Sequence, residues 1–106
     1  MYKAIATAFP DIATYTSMGK SYLNRDIMVL TIGNPQATGS SVMINSLHHS
    51  RELVTTSQNS LMVLYLLRGY VQDDPAIVKY LQTHKLYSIP AVNIDGFVEI
   101  SNIYAK

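Results

Sequence analysis

The chain has 106 residues, of which 48% are apolar and 14% are charged, and it carries a net charge of +1 and no cysteine. A chain of this size and apolar content can bury the core of one domain, which excludes a disordered protein. The absence of a basic cluster argues against nucleic acid and anionic membranes as partners. The absence of cysteine excludes disulfides and thiolate metal ligands.

Charged residues are scarce compared with their usual share of about 25%. We therefore expect apolar faces that the remainder of a domain or neighbouring chains cover. The longest apolar run, residues 61–67, is too short to cross a bilayer. The start, at residues 1–4, has no apolar signal-peptide core. We expect a soluble segment with no membrane span, and the sequence leaves its compartment open.

The first half of the chain predicts a short helix, a hairpin and a strand. Residues 1–9 suit a helix that Pro10 ends. Residues 12–18 and 26–32 are rich in β-branched and apolar residues, and the polar connection between them favours an antiparallel hairpin. A further extended segment follows at residues 42–47, and its mixture of apolar residues predicts a strand that is covered on both faces.

A long helix is predicted over residues 53–70, which contain no proline. Residues 61–67 are apolar around most of the helical circumference, so the helix is expected to be buried rather than half exposed. Gly69 stands where a C-terminal cap glycine belongs.

The remaining residues predict a second helix and a strand. The pair Asp74-Pro75 suits the cap and first turn of a helix over residues 76–82. Residues 86–92 predict a strand, and residues 93–96 predict a turn before an extended segment at 97–100. Strand, helix, helix and strand form a crossover, so the expected fold is α/β, with a mixed parallel and antiparallel sheet covered by helices.

The densest polar cluster is Leu47-His48-His49-Ser50-Arg51-Glu52, at the junction of a predicted strand and helix. His49 and Glu52 can reach one metal ion if the chain turns as it enters the helix. A zinc ion used for hydrolysis takes three protein ligands from His and Glu, together with water. These two residues would supply part of such a site, although His-x-x-Glu is a weak signal on spacing alone.

Three motifs, in this order along the chain, resemble the N-terminal part of the zinc carboxypeptidase family, the carboxypeptidase A and B group. They are Gly19-Lys20-Ser21 with Arg25-Asp26-Ile27, then His49-Ser50-Arg51-Glu52, and finally Ile89-Pro90-Ala91-Val92-Asn93-Ile94-Asp95-Gly96-Phe97. The resemblance covers nearly the whole chain. The sequence departs from the family pattern at Ile94, where proline is usual, and at His48, where a small residue is usual.

The resemblance implies a carboxypeptidase-like fold, of which residues 1–106 would be the N-terminal portion of a single, incomplete domain. It implies zinc as the cofactor, His49 and Glu52 as two of three zinc ligands, and Arg51 as a residue lining the substrate subsites. The implied reaction is hydrolysis of the C-terminal bond of a peptide or protein by metal-activated water. The family's third ligand and its glutamate base lie further along the family's chain than this sequence extends. The resemblance therefore implies a segment that is inactive alone, whether it is a truncated chain, a cleaved piece or a split product. Secretion is implied by the resemblance only.

Two other functions stay open. One is a non-catalytic, carboxypeptidase-like scaffold or assembly subunit that has kept the fold and lost the chemistry. The other is a related zinc amidohydrolase acting on small acylated amino acids, which shares the His-x-x-Glu start. The Asn-x-Asp-Gly-Phe turn favours the peptidase.

Three residues near the cluster have simpler interpretations. Arg51 is equally suited to an ion pair with a local carboxylate. His48 suits a structural donor or an exposed side chain. His84 is expected at the opposite end of the sheet from Leu47, which argues against it as a third ligand.

The polar residues of the other two motifs suit local roles. Asn93, Asp95 and Gly96 are interpreted as turn residues, with Gly96 allowing a positive φ. Arg25 and Asp26 are interpreted as part of the solvated edge of the hairpin.

Overall fold

The computed structural model describes residues 1–105, which form eight elements. In chain order these are α1 (Tyr2–Ala8), β1 (Ala13–Lys20), β2 (Asp26–Ile32), β3 (Val42–Asn45), α2 (Val54–Val71), α3 (Pro75–Thr83), β4 (Leu86–Ile89) and α4 (Ile94–Tyr104). Lys106 lies outside the described residues.

The four strands form one mixed sheet in the order β1-β2-β4-β3. β1 pairs antiparallel with β2, β2 pairs antiparallel with β4, and β3 pairs parallel with β4. The connection between the two parallel strands runs through α2 and α3, as a crossover requires. The predicted mixed α/β fold is therefore confirmed.

The apolar core joins three of the helices to the sheet. Its buried members come from α1, β1, β2, α2, α3 and β4, and they are Tyr2, Ile5, Ala13, Leu30, Ile32, Val63, Leu67, Leu81 and Leu86. Each large aliphatic side chain that is fully buried contributes about 1.5–3 kcal/mol. α1 has only seven residues, so it is stabilised by this packing rather than by helix propensity.

A hydrogen-bonded group of polar side chains lies inside this core. The Tyr2 hydroxyl is 3.0 Å from Ser88 Oγ and 3.3 Å from Asn59 Oδ1. The Asn59 side-chain amide donates to Ser46 Oγ and to the carbonyl of Ile89. Because buried polar groups are costly unless they are paired, this network fixes α2 against the C-terminal ends of β3 and β4.

The secondary structure predicted for residues 93–100 is wrong. Residues 93–100 do not form a turn and an extended segment, because α4 begins at Ile94 and includes Phe97 and Ile100. The Asn93 side chain accepts a hydrogen bond from the backbone N–H of Gly96 and so caps the helix. Gly96 lies inside this helix and is not among the residues with positive φ.

The expected burial of α2 is also wrong for the residues described. Only Asn59, Val63 and Leu67 of this helix are buried, whereas Leu61, Met62, Leu64 and Tyr65 are exposed. Hydropathy shows that a helix is apolar all round, but it does not show whether a partner lies against each side. The prediction that the strand in residues 42–47 is covered on both faces is wrong for the described residues, because β3 is a mostly exposed edge strand. β4, by contrast, is mostly buried.

Two element ends depart from the predictions for backbone reasons. β3 stops at Asn45 because Leu47 has a left-handed backbone, with φ of 57°. β4 stops at Ile89 because Pro90 has no N–H to donate to the sheet.

Gly69 does not cap α2, which continues to Val71. A Cβ at position 69 would lie 2.7 Å from Cγ1 of Ile77. This glycine therefore lets α2 and α3 approach closely. The start of α3 is as predicted, since the Asp74 side chain accepts from the N–H groups of Ala76 and Ile77. Within residues 1–105, every helix falls short of the length and apolar character that a bilayer crossing requires.

Candidate metal and substrate site

The candidate site lies on the loop between β3 and α2, where Leu47 reverses the chain. Leu47 is buried and adopts the left-handed backbone, which is uncommon for a residue with a side chain. Its N–H donates to Thr55 Oγ1 at 3.0 Å, and that hydroxyl donates to the carbonyl of Glu52 at 2.7 Å. Thr55 therefore joins both ends of the loop to the first turn of α2.

His49 and Glu52 lie side by side on this loop. His49 Nδ1 is 3.2 Å from Glu52 Oε1, and their side chains are 80% and 51% exposed. Two ligands of one tetrahedral zinc ion, with bonds of about 2.0–2.1 Å, lie about 3.3 Å apart. The loop thus presents a nitrogen and an oxygen at a separation that fits two ligands of one zinc ion.

These two groups face an open cavity of about 540 Å³. His48, His49, Ser50, Arg51, Glu52 and Asn93 line it. Within residues 1–105, no third His, Cys, Asp or Glu joins His49 and Glu52 in a group that could hold a metal ion. The cavity is open on the side that faces away from the loop, and within residues 1–105 the two groups do not by themselves complete a metal site.

Arg51 is exposed and lines the same cavity. Within the described part of the chain it forms no ion pair, because the three that are present involve other residues. The alternative of a local ion pair for Arg51 is not realised there, and its guanidinium is available to a ligand.

The other two histidines are placed differently. His48 is exposed, and its Nε2 lies 2.8 Å from Asn45 Oδ1. His84 stacks on Tyr80 just before β4. Since β3 and β4 run parallel, with Asn45 opposite Ile89, His84 lies at the other end of the sheet from the candidate site.

Asn93 belongs to the site, although the sequence indicated only a turn. Its backbone N–H donates to the carbonyl of Leu47 at 3.0 Å, and its Nδ2 donates to the carbonyl of His48 at 3.2 Å. The same side chain caps α4 through Gly96. An asparagine before a helix is a known N-cap signal. Nothing in the sequence around Asn93, however, indicated its contacts with residues 47 and 48.

Arg25 and Asp95 form an ion pair. The sequence indicated Arg25 only as part of the solvated edge of the hairpin and did not predict this pair. Arg25 Nη1 lies 2.7 Å from Asp95 Oδ1. The Ser21 hydroxyl and the backbone N–H of Leu23 also donate to the Asp95 carboxylate, at 2.8 and 3.0 Å. Partial desolvation raises the pKa of Asp95, but the hydrogen bonds from Arg25, Leu23 and Ser21 together lower that pKa below its usual value.

Several known proteins are similar to this chain over most of its length. The model of the zinc carboxypeptidase family matches residues 1–103. Carboxypeptidase B of Rattus norvegicus is 30% identical over 94 residues, which cover 89% of this chain and 22% of that protein. A protein of Ajellomyces capsulatus named as an inactive metallocarboxypeptidase is 30% identical over 100 residues, which cover 91% of this chain and 17% of the relative.

Among solved structures, carboxypeptidase A of Helicoverpa armigera matches with a TM-score of 0.74 and 29% identity. The match covers 94% of this chain and 24% of that structure. The chain therefore spans about a quarter or less of the length of these relatives and of this solved structure. With a family match over nearly all of its residues, the chain belongs to the zinc carboxypeptidase family.

Proposed function

We propose that this chain is the N-terminal portion of a zinc-dependent metallocarboxypeptidase domain that hydrolyses C-terminal peptide bonds. The observation that carries the proposal is the 3.2 Å separation of His49 Nδ1 and Glu52 Oε1 on an exposed, hydrogen-bonded loop. His49 and Glu52 would hold the zinc ion. When bound, zinc would supply the Lewis acid that activates water for hydrolysis.

The role proposed for Arg51 is to contact the peptide substrate. Its exposed guanidinium lines the cavity beside the two ligands. A planar guanidinium can bind a carboxylate through two parallel hydrogen bonds, and it can also donate to a single carbonyl oxygen. A peptide C-terminus offers both groups.

The proposal also assigns partners to the exposed apolar surface. Val42 and Met43 on β3 and Val54, Leu61 and Met62 on α2 are all exposed. Large apolar side chains that are exposed in such numbers are typical of surfaces that a partner covers. We assign it to polypeptide that completes the domain and supplies the third zinc ligand and the general base.

The experiment compares His49→Ala with His48→Ala in the full natural chain. The neighbouring histidine is the matched control, because it is exposed and lies outside the proposed ligand pair. Loss of a direct ligand is expected to weaken zinc binding by more than about 100-fold, since changes in groups that only support a ligand already cost 10–100-fold. Zinc content after dialysis and release of C-terminal amino acids from peptides are the two measurements.

A zinc-free, inactive wild type would refute the proposal, as would equal zinc binding by the two variants. The second candidate function is a non-catalytic scaffold with the same fold. It is favoured by the relative named as inactive. A scaffold would keep its assembly state and gain no activity from zinc, whichever histidine is replaced.

A further inference from the structure

The first turn of α4 contacts two loops that are distant in sequence. On one side, Asp95 accepts hydrogen bonds from Ser21, Leu23 and Arg25 of the loop between β1 and β2. These contacts join residues 70 to 74 positions apart in the chain. Asp95 therefore ties the hairpin to α4.

On its other side, the same turn holds the loop of the candidate metal site. Asn93 donates to the carbonyls of Leu47 and His48. Gly96 is so close to this loop that a Cβ there would lie 2.7 Å from Ser50 Cβ. These contacts bracket His49 on both sides in sequence, so the position of α4 sets the position of the loop.

The Arg25–Asp95 pair differs from an ordinary surface ion pair. Its side chains are 37% and 20% exposed, whereas those of the Lys20–Asp26 pair in the same hairpin are 53% and 47% exposed. Asp26 does lie at the solvated edge, as expected, and exposed pairs contribute little. Asp95 accepts from three donors, one of them backbone, which gives it a fixed geometry.

We propose that Asp95, held by Arg25, is a positioning residue that acts through α4 to set the loop carrying His49 and Glu52. This inference rests on the proposed function, because it takes that loop to be the zinc site. Asp95 touches neither of the two ligands in the structure, and its effect passes through Asn93 and Gly96.

The test measures the zinc affinity of the full natural chain by competition with a chelator of known affinity, with thermal unfolding followed in parallel. Asp95→Asn is expected to weaken zinc binding by about 3- to 10-fold, at or below the range for groups that contact a ligand directly. Arg25→Met is expected to do the same, and the double variant to be no worse than either single variant. Arg25→Lys, which keeps the charge, is expected to restore part of the loss.

Asp26→Asn is the matched control, since it removes a carboxylate from the other ion pair of the hairpin. It is expected to leave the zinc affinity within about twofold of the wild type. Equal zinc affinities for Asp95→Asn and Asp26→Asn would overturn the inference. So would a lower melting temperature for Asp95→Asn with unchanged zinc affinity, which indicates a role in stability alone.

The proposed function and the positioning role of Asp95 can be refuted separately. A wild type without zinc affinity overturns both the proposed function and the positioning role. A wild type that binds zinc, with His49→Ala defective and Asp95→Asn normal, overturns only the positioning role. If Asp95→Asn does not fold, the comparison of Arg25→Met with Arg25→Lys decides the same question.

Discussion

The left-handed backbone of Leu47 sets the direction of the loop that carries His49 and Glu52. A left-handed conformation at a residue other than glycine costs about 1–3 kcal/mol and persists only where the surroundings impose it. Here the side chain is buried, the N–H is bound by Thr55 and the carbonyl by Asn93. The turn brings His49 and Glu52 to the same side of the loop.

We predict that Thr55→Val destabilises the protein and weakens zinc binding. The substitution keeps the shape of the side chain but leaves the Leu47 N–H without its partner. It also removes one of two hydrogen bonds to the Glu52 carbonyl, which keeps the bond from the Thr55 backbone N–H. The expected loss in the free energy of unfolding is about 1–3 kcal/mol. Urea unfolding and chelator competition measure the two effects.

Thr7→Val is the control for this prediction, because it removes an exposed hydroxyl that bonds only within α1. Its effect on stability should stay within about 0.5 kcal/mol. If the two variants unfold at the same urea concentration, Thr55 does not hold the loop.

Among the elements, those with strong local signals were predicted well. β2 has the predicted bounds, and the Asp74-Pro75 start of α3 was recognised, since a cap and a fixed φ act within a few residues. α4 was missed because Asn-x-Asp-Gly suits both a turn and a helix start. Contacts of Asn93 with Leu47 and His48 accompany the helical form here, and such distant contacts have no local signature.

We predict that Gly69→Ala destabilises the protein by up to about 2 kcal/mol, because it disturbs the packing of α2 against α3. Alanine favours a helix by about 1 kcal/mol over glycine. The added methyl would, however, approach Cγ1 of Ile77 to 2.7 Å, and overpacking of this kind typically costs 1–3 kcal/mol. Ser57→Ala, at an exposed position of the same helix, should be neutral or slightly stabilising. A gain in melting temperature for Gly69→Ala would contradict the proposed close contact.

At the scale of the whole molecule, the site was predictable only where its parts are close in sequence. His49 and Glu52 are three residues apart, so spacing and resemblance indicated them together. Arg25 and Asp95 are seventy residues apart, and no local property of either residue reveals the pair. The exposure of α2 had no signal either, because apolar composition does not identify which surface another part of the domain covers.

The outer edge of the sheet provides a test of the completed domain. The N–H groups of Val42 and Ser46 donate to carbonyls on the β4 side, so those of Met43 and Asn45 point away from β4. In the full natural chain we expect another strand to pair with this edge. The amides of Met43 and Asn45 should then exchange with solvent at least about 100-fold more slowly than that of Tyr22, which lies in the exposed hairpin loop. Hydrogen exchange measures this, and exchange as fast as that of Tyr22 would argue against a pairing strand.

The contact between Tyr2 and Ser88 also bears on the order of folding. It joins residues 86 positions apart, and the entropic cost of closing a loop rises with the length of the loop. The Tyr2 hydroxyl therefore cannot form this hydrogen bond until β4 has been synthesised. The docking of α1 against the sheet is therefore expected to be a late step in the folding of this segment.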